Sequence, residues 1–73
     1  MNYAQMALLI KNLCKEKKIT IKSMLSDCGL NKGFMYGLEK EGKSPSCNNL
    51  IKLADYFNVS IDYLVGRSDK KEL

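Results

Sequence analysis

The stretch IKSMLSDCGLNKGFMYGLEK, residues 21–40, carries two short helical patterns joined by a glycine. Met24, Leu25 and Cys28 recur on one face of the first pattern, Met35 and Leu38 on one face of the second. Gly29 stands between them, where helices often end in a left-handed residue, and Leu30 follows as a plug for the corner. Two helices that cross steeply over a tight turn must share a small core, and this spacing supplies one. The second pattern also holds an oddity. Gly33 and Gly37 fall inside it, each at a cost of about 1 kcal/mol relative to Ala. They strip two side chains from a face otherwise expected to be decorated.

Outward from this unit the chain reads as further short helices. A first helix is expected from Tyr3 to Lys17, with Met6, Leu9, Ile10 and Leu13 inward and Lys11, Lys15 and Lys18 outward. Thr20 caps the second helix, with Lys22 in its first turn. Asn31 is expected to cap a third, from Lys32 to Lys40, which Gly42 stops before the extended connection at Pro45. Ser46 caps a fourth, whose apolar stripe is Leu50, Ile51, Leu53, Ala54 and Phe57. Ser60 caps a short fifth through Leu64 or Val65, and Gly66 ends it. The expected architecture is a compact all-α, five-helix domain over residues 1–66, with its helix-turn-helix unit at 20–40 and a polar tail at 67–73.

Composition narrows the function. The 73 residues, 45% hydrophobic and 27% charged, suffice for one small core. There is no His, no glycine-rich phosphate loop and no cluster of carboxylates, so acid–base catalysis lacks its usual groups and no enzyme is expected. Cys14, Cys28 and Cys47 are odd in number and widely spaced, which suits reduced thiols in a cytoplasmic protein better than disulfides or a zinc site. No metal or cofactor is expected. The apolar run Met6–Ile10 is too short for a signal peptide or a membrane span.

The chain resembles the Cro/CI-type helix-turn-helix repressors, the XRE family of bacterial and phage regulators, across residues 9–66. Beyond residues 21–40, the resemblance rests on LEKEGKSPS (38–46) and LIKLADYFNVSIDYLVGR (50–67). Three positions depart from the family. Ile21 stands where a phosphate-contacting Gln is usual, Leu25 where a small residue is usual, and Cys14 where the family places an Arg paired with the equivalent of Glu39. Glu39 must therefore find another cation, backbone donors or water, since a buried unpaired carboxylate is costly.

The resemblance implies a lambda-repressor-like fold in which the third helix lies in the major groove of double-stranded DNA. It places Asn31, Lys32, Gly33, Tyr36, Gly37 and Lys40 toward the groove, and Lys22, Lys43, Ser44, Ser46 and Asn48 near phosphates. Lys32 can donate to guanine or neutralise a phosphate, while Tyr36 can pack on a thymine methyl. Asn31 suits a cap better than a reader. Nine Lys against four acidic residues between Lys11 and Lys52 form the matching electrostatic footprint. Homodimerisation is expected near Tyr63 and Val65, and a phage or mobile-element repressor acting by operator occupancy is the expected role. An antitoxin-like, protein-binding use of the same fold is the alternative.

Overall fold

Hydroxyl side chains begin three of the helices in the computed structural model, which describes residues 3–67. Thr20 Oγ1 accepts the Ser23 N–H (3.0 Å) and starts α2, Ile21–Cys28. Ser46 Oγ accepts the Asn49 N–H (3.1 Å) and starts α4, Cys47–Phe57. Ser60 Oγ accepts the Tyr63 N–H (3.0 Å) and starts α5, Ile61–Leu64. Each hydroxyl satisfies a donor that the first helical turn leaves without an acceptor. Ahead of them α1, Tyr3–Glu16, ends one residue earlier than the lysine-rich pattern suggests.

The turn after α2 forms as the glycine requires. Gly29 sits at φ +69°, and the Leu30 N–H reaches back to the Leu25 carbonyl at 2.8 Å. The next segment departs from the expected single helix over 32–40. Here α3 spans only Phe34–Tyr36 and runs into one wide π turn, Gly37–Glu41. Asn31 is not its cap: Gly33 precedes the helix with no side-chain cap, and the Asn31 backbone carbonyl instead receives the Phe34 N–H at 3.2 Å. Residues 31–33 are used up in the turn, so the helix starts late. It also ends wide. Gly42, at φ +62°, turns the chain so that its own N–H and that of Lys43 (3.0 Å) both reach the Gly37 carbonyl.

One core joins all these elements. Ile10 and Leu13 of α1, Met24 of α2, Leu53 and Phe57 of α4 and Leu64 of α5 are almost completely buried. Met35 of α3 and Leu38 of the π turn extend that core, as their spacing predicts. The stripe on α4 is narrower than expected, because Ile51 turns outward and is 45% exposed. Cys14 and Cys28 lie in the core as reduced thiols, and burial pushes both above the usual thiol range, with Cys14 raised further by Cys28 and Cys28 by Asp27. Cys47 is exposed. Leu25 is buried with Met24, so the helix pair accommodates the larger side chain within the shared core.

Two polar contacts tie distant elements together. The Lys11 ammonium of α1 pairs with the Glu39 carboxylate in the π turn, so Glu39 gains its cation one turn away from Cys14. The Tyr56 O–H of α4 donates to Asp27 Oδ2 of α2 at 2.7 Å. That bond to Asp27, helped by desolvation, pushes the phenol up to about 12.

Two outcomes are expected. Because the folded-state phenol titrates above its unfolded value of about 10, the Tyr56–Asp27 bond stabilises the fold fully below that value. The contribution disappears as pH rises through about 12. Thermal melts of wild type and Tyr56→Phe should therefore differ at pH ~8 and converge by pH ~12; an unchanged difference contradicts the assignment. In urea titrations, Leu53→Ala should lower stability by about 2–5 kcal/mol, a large fraction of the total for a domain this small. A loss below about 1 kcal/mol would mean the core closes around the cavity without strain.

Candidate nucleic-acid interface

Four pieces of backbone meet on one side of the molecule: the turn after α2, the start of α3, the loop through Pro45, and the first turn of α4. Between them lies a hollow of about 310 Å³. It gathers six of the residues singled out in the sequence: Asn31, Gly33, Gly37, Lys43, Ser44 and Ser46. Phe34 and Leu38 form its apolar part, so the hollow rests directly on the edge of the core.

The wall opposite the glycines is the N-terminus of α4. Its Ser46 cap uses the Asn49 N–H, while the N–H groups of Cys47 and Asn48 have no acceptor within the helix. Such an end carries partial positive charge and suits an anionic group. Asn49, rather than Asn48, lines the hollow. Asn48 is exposed on the same first turn. Helical phase could have selected Asn49 in advance, since it lies three residues after the capping serine.

The remaining expected contact residues are solvent-facing but stand outside the hollow. Lys22, Lys32 and Lys40 are exposed, and Tyr36 is 60% exposed. A tyrosine this open is not one of the bundle's packing residues, so its ring is free to meet a ligand. Gly33 is exposed as well. Gly37 is not, which corrects the expectation of a bare surface there. The Lys43 side chain lies over it, with Cδ 3.4 Å from where a side-chain carbon at position 37 would stand. Lys43 also approaches Glu41, Nζ to Oε1 at 3.4 Å.

Sequence reasoning left the partner of Glu39 open, and Lys11 fills that place. The position three residues before Cys14 on the same helix was the available signal, because a long Lys stem covers that offset. At the other end of the molecule, Tyr63 and Val65 are half-buried and pack partly against the core. Ile61 beside them is 41% exposed and lines a shallow depression with Ile51, Asp55 and Asp62. Ile21, at the position where a Gln is usual in the resembling family, is half-buried and packs on the core. Its side chain is therefore committed to packing. Among the described residues no cluster of His, Cys, Asp or Glu could hold a metal ion, and no helix is long and apolar enough to cross a membrane.

Comparison with known proteins identifies the family. The family model for the Cro/C1-type HTH DNA-binding domain matches residues 10–70. The chain is also similar to the uncharacterized HTH-type transcriptional regulator YobD of Bacillus subtilis, 33% identical over 60 residues. That match covers 82% of this chain and 54% of YobD, so the chain spans about half the length of this relative. No solved structure matches it. With the match running from the middle of α1 to beyond α5, and with both helices of the turn, the hollow and the capped α4 in place, the chain belongs to the Cro/C1-type helix-turn-helix DNA-binding domains, a family of DNA binders and not of enzymes.

Proposed function

We propose that this chain is a sequence-specific transcriptional regulator, of the phage or mobile-element repressor type, that acts by occupying its operator. The observation that carries the proposal is the hollow: an α4 N-terminus with unpaired donors faces a reading segment thinned by two glycines. A phosphate fits that chemistry, and Lys22, Lys43, Ser44, Ser46 and Asn48 supply further donors around it. Asn31, Lys32, Gly33, Tyr36, Gly37 and Lys40 then belong to the surface that enters the major groove. The relative's name as a transcriptional regulator supports the regulatory role, and its bacterial source supports a bacterial or phage setting in the cytoplasm. The described residues contain no sensor module, so occupancy of DNA is the simplest way for them to act.

Two copies would pair through the end near Tyr63 and Val65, each reading one half-site. Light scattering at high micromolar protein should give twice the monomer mass for the free protein and two copies per duplex when DNA is added; a monomer under both conditions contradicts this pairing. A second reading is a protein-binding, antitoxin-like module. It draws on the exposed Ile51 and Ile61 beside Asp55 and Asp62, an apolar spot that DNA would not contact. Co-purification of a small partner protein would favour it.

Fluorescence anisotropy with labelled duplex tests the main proposal. Binding should weaken steeply with salt, and Lys22→Ala should reduce the magnitude of the log–log salt slope by about 0.9. Absence of any binding at ~50 mM salt would overturn the DNA-binding role.

A further inference from the structure

We infer that Lys43, laid across Gly37, is the side chain that reads a base edge at the point where Gly37 leaves the reading segment bare. The inference rests on the DNA-binding role proposed above, and it moves Lys43 from the phosphate contacts to the groove.

Gly37 is buried although Gly33, Tyr36 and Lys40 around it are exposed. Its cover is Lys43. Measured from the place of a first side-chain carbon at position 37, Lys43 Cδ lies at 3.4 Å and Cβ at 3.7 Å. The backbone of Lys43 is fixed to the same residue, because its N–H donates to the Gly37 carbonyl at 3.0 Å. Main chain and stem are thus both anchored on one glycine. The ammonium is not: the Lys43 side chain is 72% exposed, and Glu41 at 3.4 Å is a half-exposed partner. A surface pair of this kind is weak and gives way to a better acceptor.

Gly37 itself has an ordinary helical backbone, at φ −57° and ψ −44°. Nothing in its conformation requires glycine, and an alanine carbon would make ordinary contact with Lys43. What a larger residue would take is the bed on which the lysine lies. The glycine is explained by what covers it.

This placement favours a base over a phosphate. The Lys43 stem lies on Gly37, a position the family resemblance places toward the groove, and its charged end is exposed beside that segment rather than buried in the hollow. A stem already ordered loses less rotamer freedom on binding than a free lysine does. An ammonium in the major groove finds its best acceptors in guanine O6 and N7, so the preferred base is guanine.

Selection of bound duplexes from a random pool, run in parallel on variants, tests the inference. Wild type should enrich guanine at one position of each half-site. Lys43→Met keeps the stem over Gly37 but lacks the charge. It should lose discrimination at that position alone, on the order of tenfold. Gly37→Leu, which displaces the stem, should lose the same position, and Lys43→Arg should retain a guanine preference. Lys22→Ala should bind more weakly and keep the full motif. If Lys43→Met keeps the wild-type motif and binds all sequences uniformly more weakly, Lys43 is a phosphate contact and the inference is overturned. Wild type that enriches no motif overturns it together with the sequence-specific role.

Discussion

The reading segment cannot hold its shape alone. Three residues of α-helix and one wide turn are far below the length at which a helix is stable in water. Its geometry depends on being pressed against α1, where Met35 and Leu38 enter the core and Glu39 meets Lys11. Everything on the side of the hollow inherits its position from that contact. Gly37 then holds the returning loop, the loop delivers Ser46, and Ser46 starts α4 beside the hollow. A chain of short local contacts, each anchored on the one before, takes the place of a long recognition helix.

Caps and apolar spacing were legible because each is a local rule. Thr20, Ser46 and Ser60 cap as hydroxyls before an apolar-periodic run should, and Gly29 closes α2 in the left-handed region. Met24, Cys28, Met35 and Leu38 are buried as their periodicity requires. The failures arose where the outcome depended on residues distant in the sequence or on the path of the main chain. Asn31 looks like a cap, yet the turn consumes its backbone and leaves the helix to begin at Phe34. The wide turn at Gly37–Glu41 has no periodic signature, since it is set by where Gly42 sends the chain. Ile51 fits the α4 stripe by spacing, but it turns outward into the depression shared with Ile61.

The candidate site divides in the same way. The lysines, Tyr36 and the polar loop were visible as residue types at the spacing of a known family, and the family itself is confirmed over residues 10–70. The hollow was not visible, because it exists only once the α4 N-terminus and the two glycines face each other. Nor was the cover over Gly37, which comes from a side chain six residues further along, beyond the reach of helical periodicity. The departures from the family also become intelligible. Ile21 is used for packing, and Lys11 supplies the charge that an Arg at the Cys14 position would have given. Both departures leave the scaffold intact.

The hollow and its flanking lysines are the face proposed to contact DNA. Amide chemical-shift mapping with a non-cognate duplex of ~20 base pairs at ~50 mM salt tests it without knowledge of the operator, since non-specific affinity is sufficient there. The largest shifts are expected at Lys22, residues 31–33, Lys43 and residues 46–49, with residues 51–55 and 61–62 little changed. Shifts concentrated around Ile51 and Ile61, with the hollow unmoved, would contradict it.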